Sequence, residues 1–275
     1  MGVTKMPFAP LNGQELFYED SGGDKPAVVF MHGFLFDTSM FDAQVKALED
    51  HYRCVRFDAR AFGQTKWDGK PFTLYDTAAD CIALMDYLKI DKAAIVGMSQ
   101  GGYALVRLAI KYPHRVTALV FMSTYNGVDT EDVKQIYRNM RDTWKNQGPA
   151  ALLDTYVSLF IGNKDQFPMQ AASWRAKWEQ VSGDAVVAAM NNLIDRDEIT
   201  DEQVKLITQP AIVIHGDSDS GMPMALGEAL HKLLPNSKGF YPIKGAAHGA
   251  NVTHPEFVNP ILRQFLDEVT QSTSN

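Results

Sequence analysis

Covalent cross-links and clustered positive charge are both scarce in this chain. It has two cysteines, Cys54 and Cys81, in 275 residues. That is too few for a disulfide framework, and no CxxC pair is present for metal or redox chemistry. Both thiols read as small buried hydrophobes, and the composition fits a reducing, cytoplasmic setting. Lys and Arg total 26 against 33 acidic residues, for a net charge of −7. No basic run occurs, so nucleic acid is not expected as a partner, because phosphate binding needs clustered cations. The longest apolar runs, near 27–31 and 118–122, fall far short of the ~18 residues of a membrane span. No apolar leader opens the chain, and Gly2 alone is weak ground for lipidation. GxGxxG, P-loop, HExxH and paired-ligand spacings are missing, so no nucleotide, metal or other cofactor is implied.

What is present is apolar residue, 45% of the chain, enough for a large core without staples. It is arranged in short strand-like runs alternating with helix-period stretches. Asn12-Gly13 marks a hairpin near the start. Buried-strand runs follow at 26–31, 54–58, 93–96, 116–122, 211–215 and 239–243. Helical periodicity fills 40–49, 74–88, 103–112, 225–234 and 255–269. Such alternation predicts an α/β fold, a doubly wound and mostly parallel sheet covered on both faces. The rhythm breaks between 125 and 205, where only helical periodicity appears. Tyr137, Met140 and Trp144 share a face there, as do Tyr156 with Phe160 and Trp174 with Trp178. We read 125–205 as a helical cap inserted into a core made of 1–124 and 206–275. A polar tail, 270–275, is expected to fray.

The strongest motif is Gly97-Met98-Ser99-Gln100-Gly101, set between the run 93–96 and the helix 103–112. Strand, GxSxG and helix form a nucleophile elbow, in which a strained turn exposes the serine at the mouth of a helix N-terminus. Ser99 is the candidate nucleophile. A serine hydroxyl needs a base and a group that orients the base. His248, in the loop Gly245-Ala246-Ala247-His248-Gly249 after the last strand, is the candidate base. In the loop His215-Gly216-Asp217-Ser218-Asp219, Asp219 is the candidate acid because it lies deeper in the loop. Asp217 is expected to tie down the turn, and His215 to be a buried structural residue. The order Ser99, Asp219, His248 is the one an elbow requires. The backbone N–H groups of Phe34 and Gln100 are the candidate oxyanion donors.

With these residues in place the chain resembles the α/β-hydrolase superfamily over nearly its whole length. Phe30-Met31-His32-Gly33 is similar to the family's oxyanion loop, Gly97 to Gly101 to its elbow, His215 to Pro223 to its acid loop, and Ala247-His248-Gly249 to its base loop. The insertion matches a helical cap. The likeness is greatest to small esterases and lactonases of the enol-lactonase, arylesterase and cofactor-free haloperoxidase kind. One position departs: in Asp58-Ala59-Arg60-Ala61-Phe62-Gly63, Ala61 stands where the family often has glycine, at a cost if the backbone there has positive φ.

The expected activity is hydrolysis of a carboxylic ester or lactone through an acyl-serine. A cofactor-free perhydrolase or lyase on the same triad is the alternative, followed by a ligand-binding receptor. The expected partner is a small-molecule ester or lactone, neutral and moderately apolar because no cations cluster near these loops. No membrane partner is expected, and a homo-oligomer is compatible with the sequence. Phe34, Phe36, Met98, Trp144, Tyr156 and Phe160 are the candidate pocket residues; other aromatics of the insertion are expected to form its own core.

Overall fold

The computed structural model describes residues 7–273. Gly2 and the last two residues lie outside it, and the tail expected to fray continues the final helix to Thr273. The chain opens with a hairpin of β1 (Phe8–Leu11) and β2 (Gln14–Asp20). Asn12 and Gly13 both take positive φ, 49° and 80°, as a type I′ turn demands. Next come β3 (Ala27–Met31), α1 (Asp42–Leu48), β4 (Arg53–Phe57), α2 (Leu74–Tyr87), β5 (Ala93–Met98), α3 (Gln100–Lys111) and β6 (Val116–Met122).

Between β6 and the next strand the described elements are helical: α4 (Glu131–Gln147), α5 (Leu153–Tyr156), α6 (Pro168–Trp178), α7 (Gly183–Ile194) and α8 (Asp201–Val204). The chain closes with β7 (Ala211–Gly216), α9 (Met224–Leu233), β8 (Ser237–Ile243), α10 (Ala250–Thr253) and α11 (Pro255–Thr273).

The eight strands form one sheet in the order β1-β2-β4-β3-β5-β6-β7-β8. Pairing is antiparallel for β1 with β2 and β2 with β4, and parallel across the rest. β5 is buried along its whole length, as a strand covered on both faces must be. From β3 the chain steps outward to β4, then back across β3 to β5. Right-handed crossovers in opposite directions put α1 and α2 on opposite faces. Accordingly α1 packs with α11, and α2 with α3. The reversal between β3 and β5 is the switch point where loops diverge and leave a crevice at the strand carboxyl ends.

The helical segment between β6 and β7 is tied down over that edge. Trp178 Nε1 donates to the Leu35 carbonyl at 2.7 Å, Gln100 Nε2 to that of Ala189 at 3.1 Å, and Lys177 pairs with Asp37 at 2.7 Å. No described helix is long and apolar enough to cross a membrane.

Ala61 has φ 70°, so this position does lie in the left-handed region that glycine tolerates and alanine resists. Ala61→Gly is therefore expected to stabilise the fold by about 1 kcal/mol, read from urea unfolding. A less stable variant would show that the loop is not strained there.

Candidate active site

Register brings the site loops together. Met31 of β3 pairs with Gly97 of β5, so the chain after each strand emerges side by side. Met98 pairs with Met122, and Gly216 with Ile243, which lines up the turns carrying Ser99, Asp219 and His248.

Ser99 has φ 52° and ψ −115°, a strained conformation of the kind that persists only where surroundings enforce it. Close backbone contacts enforce it here. A Cβ on Gly97 would lie 2.7 Å from the Gly101 carbonyl oxygen, and one on Gly101 only 2.2 Å from that of Met31. Only glycine fits either position. The Ser99 amide donates to the Met122 carbonyl at 2.9 Å, and the Thr124 hydroxyl donates to the Ser99 carbonyl at 3.1 Å.

The Ser99 hydroxyl lies 2.8 Å from His248 Nε2, and His248 Nδ1 lies 2.6 Å from Asp219 Oδ2. A carboxylate can only accept, so Nδ1 carries the proton and Nε2 is free to accept from the serine. All three residues are buried. The other Asp219 oxygen accepts from the amides of Gly221 at 3.0 Å and Met222 at 2.8 Å. His215, fully buried, donates from Nε2 to the Met222 carbonyl at 2.9 Å and stands 3.5 Å from Asp219 Oδ2. Burial alone would raise the Asp219 pKa. Attraction to His248, the hydrogen bonds of the His215 and His248 imidazoles and the Met222 amide outweigh burial and hold it well below the usual carboxylate range. Asp217 instead accepts from the Gly245 amide at 2.7 Å and from the Ser218 hydroxyl at 2.9 Å, which pins the acid loop to the base loop.

Opposite them is the loop after β3. His32 Nδ1–H donates to the Gly33 carbonyl at 2.8 Å while its Nε2 accepts from the Ala59 amide at 2.8 Å, so the ring is neutral and fixed. A Cβ on Gly33 would sit 3.2 Å from that of Ser99, so the Phe34 backbone runs beside the serine. Gln100 opens α3, where first-turn amides have no helical partner.

Ser99 and His248 open into a cavity of about 80 Å³. Phe34, Tyr156 and Phe160 line it, and the Phe160 ring lies against the His248 imidazole with centroids 5.5 Å apart. The other three residues expected in the pocket stand behind its wall. Met98 is fully buried at the end of β5, under Gly33. Phe36 packs edge-on against Trp174 and Trp178. Trp144 donates from Nε1 to the Val181 carbonyl at 3.1 Å and belongs to the helical segment's own core. Aromatic content cannot distinguish a wall from the layer behind it.

Missed from the sequence were Tyr103, Asp129, Leu159, Met190, Leu193, Gly221 and Met222. Tyr137 and Met140, also in the wall, were visible as a helix face but not assigned to the cavity. A larger groove of about 900 Å³, between Trp67, Phe72 and Tyr75 and the far side of α7, contains neither Ser99 nor His248.

A strained serine on a strand–turn–helix, hydrogen-bonded to a buried His–Asp pair at the carboxyl edge of a doubly wound sheet, is the arrangement of an α/β hydrolase. The family model for the α/β hydrolase fold matches residues 26–255, and the chain belongs to that family. It is 28% identical over 280 residues to a bifunctional esterase/perhydrolase of Acinetobacter calcoaceticus, covering 93% of this chain and 97% of that one. The enol-lactonase of Burkholderia xenovorans LB400 superposes with a TM-score of 0.88 at 25% identity, over 95% of this chain and 100% of its own. A thermophilic esterase of Thermogutta terrifontis gives 0.86 at 25% identity, over 96% and 97%.

The depressed Asp219 pKa has a consequence for stability. The folded state favours the charged carboxylate, so its contribution is full above the ordinary value of 3.8 and is lost as pH falls toward the lower folded value. Wild type is expected to exceed Asp219→Asn in unfolding free energy at pH 7, and the gap to shrink at pH 3. Urea titrations at both pH values check this; a gap that is constant or grows in acid would contradict the charge assignment.

Proposed function

We propose that this α/β hydrolase cleaves a neutral carboxylic ester or lactone through an acyl-serine intermediate. One observation carries the reading: the continuous hydrogen-bonded line from the Ser99 hydroxyl through His248 to Asp219 opens into a buried cavity. Ser99 Oγ attacks the carbonyl carbon while its proton passes to His248 Nε2. Asp219 holds the ring in the tautomer that can accept and stabilises the imidazolium that results. The amides of Phe34 and Gln100 receive the oxyanion. His248 then gives its proton to the leaving alkoxide oxygen, and the C–O bond breaks. In the second half His248 takes a proton from water, hydroxide adds to the acyl carbon, and Ser99 leaves with the proton returned. The enol-lactonase and esterase names of the similar proteins support the substrate class.

The esterase/perhydrolase relative favours one second reading. Hydrogen peroxide in place of water at the acyl-serine would give a peracid, with atoms balanced and no added residue.

Ser99→Ala is expected to abolish both labelling by a fluorophosphonate probe and turnover of short-chain nitrophenyl esters. Asp219→Asn is expected to lower kcat by roughly 10³–10⁴, and Asp217→Asn far less. Unchanged turnover in Ser99→Ala would refute the proposal, and a larger loss at Asp217 would reassign the acid. Peracid formed on adding peroxide to wild type separates the two fates of the acyl-serine.

A further inference from the structure

The turn that follows β3 is strained, and a residue of the helical segment holds it. Leu35 takes φ 62°, a left-handed conformation that leucine resists. The Phe36 amide donates to the Gly33 carbonyl, three residues back, at 3.1 Å. Phe34 does not share the positive φ, so 33–36 is a type II turn, whose third position favours glycine. Such a conformation persists only where its surroundings enforce it. Trp178 of α6 supplies one enforcing contact. Its side chain is fully buried, and Nε1 donates to the Leu35 carbonyl at 2.7 Å.

Two peptide groups stand in series behind that bond. The Leu35 carbonyl that receives the indole N–H belongs to the same amide as the Phe36 N–H. The Gly33 carbonyl that receives the Phe36 N–H belongs to the same amide as the Phe34 N–H. No peptide among the described residues is cis, so in each amide the C=O and the N–H point in opposite directions. The line therefore starts at Trp178, crosses two amides and ends at the candidate oxyanion donor beside Ser99. An amide that accepts at its carbonyl is a stronger donor at its N–H, and chains of such bonds polarise one another. His32 Nδ1 also donates to the Gly33 carbonyl, at 2.8 Å, but it orients only the last amide and does not reach the strained residue.

We infer that Trp178 is a positioning residue for the reaction: its indole N–H heads an amide relay that orients and polarises the Phe34 N–H, so the helical segment supplies part of the oxyanion hole. This rests on the acyl-serine reading and adds a residue to it. Trp178 does not line the cavity that Ser99 and His248 open into, so it acts through the turn and not on the substrate.

The test removes the indole N–H and keeps its shape. Benzothienylalanine, in which sulfur replaces the N–H, is incorporated at position 178, beside the simpler Trp178→Phe. Trp174→Phe is the control, because Trp174 lies one turn earlier in α6 and packs on the same Phe36 without a hydrogen bond to the turn. Acylation and deacylation both pass through an oxyanion. Each variant at 178 is therefore expected to lower kcat on nitrophenyl acetate about tenfold, less than the loss of a whole donor, with KM within about twofold of wild type. Trifluoromethyl ethyl ketone reports the oxyanion directly: its carbonyl carbon takes Ser99 Oγ, His248 takes the proton, and the carbonyl oxygen becomes the anion. Its affinity should fall by the same factor as kcat, and Trp174→Phe should leave both nearly unchanged. Unchanged kcat in the sulfur variant, a loss carried by KM, a fall in kcat that the ketone does not share, or an equal loss in Trp174→Phe would overturn the relay and leave Trp178 a packing residue. Should one variant at 178 fail to fold, the other decides; failure of both would assign the bond to stability and overturn the relay too. A wild type inert toward every ester refutes the acyl-serine reading, whereas an active wild type matched by its variants at 178 refutes the relay alone.

Discussion

The close approach of three backbones, those of β3, β5 and the first turn of α3, leaves Ser99 one conformation. Gly101 faces the Met31 carbonyl, and Gly97 faces the Gly101 carbonyl, at distances no Cβ could occupy. Parallel register sets the first contact, since Met31 lies opposite Gly97. The strain at Ser99, with φ 52°, is thus imposed by packing that the whole sheet maintains. The same approach puts Gly33 against Ser99, so the turn that presents the hydroxyl also fixes where the Phe34 amide runs. Candidate nucleophile and candidate oxyanion loop are one mechanical unit.

Electrostatics supplies the second constraint. Taking a carboxylate out of water is unfavourable unless every lone pair is met. Asp219 meets this condition with two amides on one oxygen and the His248 N–H on the other, and His215 stands within 3.5 Å of that second oxygen. The His215 ring is held in turn by the Met222 carbonyl, one residue beyond the Gly221 amide that Asp219 accepts from. The loop after β7 therefore closes on itself around the carboxylate before His248 is counted. That closure, with Asp217 reaching across to Gly245, brings the base loop to the acid loop and not to solvent.

Much of this was legible in the residues. Buried strands announced themselves as short β-branched runs, and their alternation with helices required a parallel sheet. That Ser99, His248 and Asp219 would lie within hydrogen-bonding reach was legible because an elbow constrains the loops in which its candidate partners lie. The cavity was less legible, for a physical reason. Trp144 and Tyr156 are both large and buried, and no periodicity separates a residue facing a void from one facing another helix. Asp129 and Arg196 were invisible as a pair because they lie 67 residues apart and meet only after α4 and α7 pack. Ala61 was the opposite case: a departure from a family pattern named one of the positions where a residue other than glycine takes positive φ.

The helical segment does more than cover the crevice. A π turn, Val157–Ile161, follows α5, and the Gly162 amide reaches back five residues to the Val157 carbonyl at 3.0 Å. Such turns widen a helix and free carbonyls from the usual ladder. Two of these carbonyls leave the helix altogether: Leu159 accepts from the His248 amide at 3.3 Å, and Phe160 from that of Gly249 at 2.8 Å. The side chains of the same two residues form part of the cavity wall. Wall and base loop are consequently held by one five-residue turn. The residues that shape the cavity at 159 and 160 thus also anchor, through their backbone carbonyls, the loop that carries the imidazole facing Ser99.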